Sequence, residues 1–479
     1  MRLVNPVSGS ILPGPVCHRG VVVDEPTLSP LDGRYRQLVS GIADHLSEQA
    51  LNRGRLEVEV AWLSYLAAGR VMPELREFTA DEQSLLRNLV ADFGSEQAVS
   101  LAVIERRTGH DVKAVEYYIK QALADTSLAD VMEFVHFGCT SEDINNLAYG
   151  RMLQRAITDV WLPSALGLVA DLRDLALAQR DQPMLSRTHG QAATPTTVGK
   201  EIAVFVHRLD RQLARIQAQE YLGKFNGATG TYSAHHVAAP EVDWIEISRG
   251  FVQSLGLTWN SLTTQIESHD YMCELFADLA RFNGILNNLN TDMWSYISLG
   301  LFRQRPTAGA VGSSTMPHKI NPIRFENSEA NLEVSNSLLQ VLQTSLITSR
   351  MQRDLSDSSM QRNIGPALGY ALIGIVNTRT GLRSLDVDSE ALAAELDDAW
   401  EVLAEAVQSV MRRRGLDQPY ERLKELTRGQ RITREGLQDF ICQLHLPAED
   451  EQRLLDLSPA NYLGLASRLV DFIDVPSPP

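Results

Sequence analysis

Ser313, Ser314, His318, Lys319 and Asn321 fall within the eleven residues from Gly312 to Pro322, GSSTMPHKINP. Pro317 and Pro322 keep this stretch out of helix, and Gly312 frees the backbone. The small side chains of Ser313, Ser314 and Thr315 let main-chain amides approach an anion. A run of turn residues is also what a plain surface connection looks like. Lys319 and Asn321, two residues apart and straight after a histidine, point instead to a working loop that closes over a substrate.

Five further polar clusters lie elsewhere in the chain. Thr188 and His189 sit in SRTHGQAATPTTVGKE, read as a turn feeding a helix that starts near Val198, where free amides favour an anion. Thr140 and Ser141 open another helix in HFGCTSEDINN. There Thr140 with Asp143 makes a capping box, a ligand contact, or both. His110 and Asp111 precede a helix in RTGHDVKAVE, and Arg34 and Tyr35 close SPLDGRY. Arg350, Arg353 and Arg362 flank the serine-rich SDSSMQR, which offers a phosphate both charge and hydroxyl donors.

Other chemistries are disfavoured by the letters. Glu133 and His136 form a single ExxH, whereas a di-iron bundle needs two, so a buried helical pair is expected. Gly199-Lys200 lacks the rest of a phosphate-binding loop, and neither GxGxxG nor HExxH occurs. Cys17, Cys139, Cys273 and Cys442 are far apart, which indicates neither a disulfide framework nor a zinc site. No metal or cofactor is expected.

The elements that must position these clusters are helical. Met272, Leu275, Leu279, Phe282, Leu286, Leu289, Met293 and Tyr296 recur every three or four residues in a proline-free segment from Tyr271 to Arg305. Ile202, Val206, Leu209, Leu213 and Ile216 repeat the pattern in a segment ending near Gly223, and a third rod is expected from about Phe325 to Arg353. Such long apolar seams imply an all-α protein with a central bundle extended by other subunits. The expected divisions are an extension over 1–26, an N-terminal helical domain over 27–132, a central bundle over 133–386 and a C-terminal helical domain over 387–479.

At 479 residues, with 44% hydrophobic and 22% charged, the chain can bury a sizeable core in two or three domains. A formal charge of −16 excludes broad nucleic-acid or acidic-membrane binding, so any anionic ligand must be held by local clusters. No apolar run suits a membrane span, and the first 26 residues lack a secretory pattern, so a cytoplasmic location is expected.

The loop GSSxMPxKxNP resembles the signature of the fumarase and aspartase superfamily. Together with LSPLDGRY, GHDVKAVEY, HFGCTSEDINN, LSRTHGQAATPT, TTQIESHDY and RDLSDSSMQRN, it is similar to the adenylosuccinate lyase family in its bacterial PurB-type form, from about Leu28 to Phe472. The resemblance implies the three-domain fold of that superfamily, a homotetramer with active sites shared between subunits, and release of fumarate from adenylosuccinate and SAICAR. It makes Ser313 the base, activated by loop closure, nearby amides and Lys319, and His189 the acid for the departing amine. It assigns Thr140, Ser141, Thr188, Gln265, Lys319 and Asn321 to the succinyl carboxylates, and Arg34, Tyr35, Arg353, Ser358 and Arg362 to the nucleotide and its phosphate. His110 orients the reacting groups. Asp111, Ser314, Ile320, Asn327 and Ser359 complete the implied substrate contacts. Gly109 stands where many relatives place asparagine, and residues 1–26 have no recognised counterpart. Two alternatives remain at this point: a lyase for another fumarate-yielding substrate such as argininosuccinate, and a non-catalytic protein on the same scaffold, which should have lost Ser313 or His189.

Overall fold

The computed structural model describes residues 27–306, 316, 319–427 and 432–474. The expectations for residues 1–26, for Ser313, Ser314 and His318, and for the tail VPSPP lie outside them. Five helices come first: α1 (Arg36–Leu46), α2 (Glu48–Ala68), α3 (Ala80–Ala91), α4 (Ser95–Thr108) and α5 (Asp111–Leu123). The middle holds α6 (Ser141–Arg155), α7 (Leu162–Ala178), α8 (Val198–Gln217), α9 (Ser233–Ala238), α10 (Trp244–Ser254), α11 (Asp270–Ser298), α12 (Ile323–Ser345), α13 (Ser356–Gln361) and α14 (Ile364–Arg383). The chain continues through α15 (Ser389–Asp397), α16 (Ala404–Arg413), α17 (Pro419–Thr427), α18 (Arg434–Cys442), α19 (Ala448–Leu455) and α20 (Ala466–Leu469).

The bundle follows the apolar seams. On α11, Met272, Leu275, Leu279, Phe282, Leu286, Leu289 and Met293 are buried, and Phe325, Leu332, Leu339 and Leu342 answer them from α12. Polar rungs set their direction: Asn283 Nδ2 donates to Ser335 Oγ (3.1 Å), Asn290 Nδ2 to Ser328 Oγ (2.8 Å), and Trp294 Nε1 to Glu326 (3.2 Å). Numbers rise along α11 as they fall along α12, so the two rods are antiparallel. α14 closes against α12, with Ser335 Oγ donating to the Ala367 carbonyl and Ser328 Oγ to that of Gly374.

The rods are shorter than their patterns predict. α11 stops at Ser298 because Gly300 takes φ +76° and Phe302–Gln304 (β5) pairs with Leu385–Val387 (β6). α12 stops at Ser345, where polar side chains capture the backbone beyond it. Asp354 accepts from the amides of Arg350 (3.1 Å) and Ser356 (2.8 Å). α8 ends at Gln217, short of Gly223.

A second departure is a hairpin. The stretch read as a turn is Pro183–Thr188 (β1) paired with Gln191–Thr197 (β2), Thr188 opposite Gln191. Its tip is His189 and Gly190, at φ +54° and +75°, the left-handed pair that a two-residue hairpin turn needs. Leu222–Gly223 (β3) and Thr258–Trp259 (β4) form another short pair.

One hydrophobic core runs from Ile42 through α2, α5, α6 and the bundle rods, and takes in Val470 and Ile473 near the chain's end. A separate cluster joins Leu396, Leu403, Met411, Leu437, Ile441 and Leu454 to Leu185 of β1. No described helix is long and apolar enough to cross a membrane.

Candidate active site

The N-terminus of α6 is the best-anchored part of the site. Asp143 Oδ2 accepts from the amide of the N-cap Thr140 (2.8 Å), the reverse half of the expected capping box. Its Oδ1 accepts from Lys224 Nζ (2.8 Å) and the Asn226 amide (2.9 Å), and neither Asp143 nor Lys224 is exposed. The carboxylate therefore ties Thr140 and Ser141 to the 224–227 strap. That strap continues to Ala228, whose carbonyl accepts from Gln265 Nε2 (2.8 Å).

From Gln265 a chain of polar contacts runs across the site. Arg353 donates to Gln265 Oε1 (3.3 Å) and pairs with Glu142 Oε1 (2.8 Å). Asn145 donates to Glu142 (2.7 Å) and accepts from the buried Arg55 Nε (2.8 Å). Arg55 in turn pairs with Asp111 at 2.5 Å, and Asp111 lies 3.8 Å from Arg362. Arg362 donates to both the Ser358 hydroxyl (2.8 Å) and its carbonyl (2.7 Å). Burial opposes ionisation of Asp111, yet the Arg55 guanidinium and the Val112 amide hold its pKa below the usual value. Burial raises that of Glu142, with Arg353 opposing.

His110 caps α5, its Nδ1 accepting the Lys113 amide (3.2 Å). A nitrogen that accepts carries no proton, so Nε2 bears the hydrogen in the neutral ring. Nε2 stands 3.5 Å from Ser141 Oγ. Gly109, the C-cap of α4, adopts φ +64° with open space around a Cβ, a conformation glycine and asparagine share.

The remaining candidates stand elsewhere in this chain. Tyr35 Oη accepts from Asn327 Nδ2 (2.9 Å), and Arg34 beside it is exposed. Lys319 and Ile320 are exposed and Asn321 half-buried just ahead of α12; the Ile320 carbonyl accepts from Gln304 (2.8 Å). Asn327 is 18 residues (345 minus 327) before the end of α12 at Ser345. At 1.5 Å per residue that is about 27 Å of helix. Arg353, Ser358, Ser359 and Arg362 all follow that far end. Thr188 and His189 form a third exposed patch on the hairpin, which Leu185 and an Arg187–Glu395 ion pair fasten to the C-terminal cluster. The helix N-terminus expected beside His189 is instead set apart from it by the whole of β2.

Arg55, Glu142, Asn145 and Lys224 escaped the sequence reading, which took Asp143 only as the capping partner of Thr140. Arg55 left a legible signal: a charge among Leu51, Leu56, Trp62 and Leu63 on α2, all buried. The expected buried helical pair of Glu133 and His136 does not form. Glu133 is 76% exposed and pairs with Lys120, while His136 meets Glu59 at 2.6 Å. Glu59, His136 and Cys139 offer ligand atoms within 4.8 Å of one another, and Glu59 Oε1 and His136 Nδ1 are hydrogen-bonded to each other.

This architecture recurs among known structures. The 3-carboxy-cis,cis-muconate lactonizing enzyme from Pseudomonas putida matches with a TM-score of 0.74 at 23% identity, over 91% of this chain and 96% of that one. A fumarate lyase from Mesorhizobium sp. BNC1 matches equally well at 21% identity, over 91% and 97%. A family model described as lyase covers residues 33–334, which with the fold defines a helical lyase of the fumarase and aspartase class. A second model, for the adenylosuccinate lyase C-terminal region, covers 349–463. Adenylosuccinate lyase of Escherichia coli (strain K12) is 52% identical over 93% of this chain and 98% of its own length, and that of Haemophilus influenzae 49% over the same shares. The chain belongs to the adenylosuccinate lyase family.

Proposed function

We propose that the protein releases fumarate from adenylosuccinate, leaving AMP, and from SAICAR, leaving AICAR, in cytoplasmic purine nucleotide synthesis. The observation that carries this reading is the unbroken contact chain from Thr140, Ser141 and Gln265 to Arg353, Arg362 and Ser358. It fixes a group suited to succinyl carboxylates at a set distance from one suited to a phosphate. A substrate without a phosphate, such as argininosuccinate, would leave the Arg362–Ser358 group without a use.

Ser313 removes the proton next to a carboxylate, building a dianion that Thr140, Ser141, Lys319 and Asn321 stabilise. His189 protonates the departing amine, while His110 and Asp111 orient the reacting groups. Arg34, Tyr35 and Asn327 contact the nucleotide, Ser359 joins Ser358 at the phosphate, and Thr188, Ser314 and Ile320 line the carboxylate end.

The catalytic unit is a homotetramer in which different chains complete each pocket. Supporting this, about 27 Å of α12 separates Asn327 from the Arg353 end within one chain, and His189 stands on a third patch. We read 27–132, 133–386 and 387–479 as three domains. The separate C-terminal cluster supports the second boundary, although the shared core crosses the first and also takes in Leu392, Val470 and Ile473 beyond the second.

Ultraviolet absorbance of adenylosuccinate and of SAICAR, followed with the purified protein, tests the reading. Both should be consumed with stoichiometric fumarate, and no fumarate from either would overturn it.

A further inference from the structure

Glu142 follows Thr140 and Ser141 in the first turn of α6, yet only 2% of it is exposed. Its Oε1 accepts from Asn145 Nδ2 at 2.7 Å and meets Arg353 Nη2 at 2.8 Å. Arg353 is the most enclosed of the three arginines around the serine cluster, 18% exposed against 36% for Arg362 and 84% for Arg350. It stands outside regular helix, between the end of α12 at Ser345 and the start of α13 at Ser356. An arginine on such a connection has many rotamers open to it. Two contacts restrict this one: Glu142 on one side of the guanidinium and Gln265 Oε1 on the other.

We propose that Glu142 is a positioning residue for nucleotide affinity: it holds the Arg353 guanidinium in place for the phosphate, locking the phosphate end to the helix turn that serves the succinyl end. This inference rests on the site reading above. The geometry has two consequences. Glu142 is itself held by Asn145, whose carbonyl oxygen accepts from the buried Arg55, so the brace for Arg353 reaches back to the rigid interior of α2. A carboxylate this close to a bound anion would repel it unless Arg353 stayed paired, so the charge on Glu142 is useful only as half of this pair. Thr140 and Ser141 share its helix turn, so a shift of Arg353 is felt at the carboxylate end as well.

The test compares wild type, Glu142→Gln, Glu142→Asp and Arg353→Lys in steady-state kinetics on adenylosuccinate, with AMP as competing product. Glu142→Gln should raise both KM and the AMP inhibition constant by about 10-fold while kcat stays within about threefold, the pattern of lost ground-state binding. Glu142→Asp, with the charge kept on a shorter arm, should raise them less, and it carries the test if the glutamine variant does not fold. A Glu142→Gln enzyme with wild-type KM and AMP affinity, alongside a weakened Arg353→Lys, would overturn the positioning role and leave the site reading intact. A fall in kcat at unchanged KM would also overturn it. Wild-type AMP affinity in Arg353→Lys would remove Arg353 from the phosphate site, and this inference with it.

Discussion

The Asp143 carboxylate and the Lys224 ammonium meet at 2.8 Å, and neither side chain is exposed to solvent. The pair helps join the first turn of α6 to the strap over 224–227, alongside the Asn226 and Gly227 amides on Asp143 and the Asn146 contacts with the Lys224 backbone. Asp143→Asn would leave a buried ammonium facing a neutral amide. A loss of about 3–5 kcal/mol is expected, read as a lowered thermal midpoint at fixed protein concentration. Adding Lys224→Met to Asp143→Asn removes the unpaired ammonium, so the double variant should lose less than Asp143→Asn alone, and equal or greater loss would refute this account.

Shared active sites predict complementation. His189→Ala and Ser313→Ala should each be inactive, and mixing them under conditions of subunit exchange should restore activity. If the two residues of a pocket come from different chains, about one site in four is intact after random assembly. Hybrid tetramers verified by mass, yet no more active than their parents, would count against the shared site.

Acid stability should depend on Asp111. Burial is the largest single influence and opposes ionisation, but the charge and hydrogen bond of Arg55, the Val112 amide and the nearby His110 together outweigh it and hold the Asp111 pKa low in the folded protein. A carboxyl with a depressed folded pKa adds stability above its unfolded pKa and loses it as pH falls through the folded value. The wild-type thermal midpoint should therefore drop as pH falls below about 4. Asp111→Asn should start lower at neutral pH and show a shallower drop. Parallel curves for the two proteins would contradict this.

Packing of the bundle makes a simpler prediction. A Cβ at Gly374 would lie 2.5 Å from Leu332 Cδ2, inside the tight contact between α12 and α14. Gly374→Ala should destabilise the protein by about 1–3 kcal/mol through overpacking, despite alanine's better helix propensity. Thermal unfolding at fixed concentration would show the change, and an unchanged or raised midpoint would exclude it. By contrast, Gly284→Ala, with open space around its Cβ, should be neutral or stabilising.

The amino-acid order alone determined what depends on near neighbours. Apolar spacing of three and four marked the rods, because a helix turns every 3.6 residues whatever surrounds it. Helix starts at Ser141 and Val198 were legible from the local chemistry before them, and the family was legible from its motifs. Rod ends were less so: Gly300 and the side chains around Asp354 end helices whose apolar pattern continues. The Thr188–Gln191 hairpin carries little alternation, and Leu185 is buried in a cluster whose other buried members run from Leu396 to Leu454, more than two hundred positions on. Likewise Glu142 and Arg353 lie 211 positions apart (353 minus 142) and meet where the chain beyond α12 returns beside the start of α11. Contacts at that separation depend on how long elements pack, a property of the folded chain that no local stretch of sequence contains.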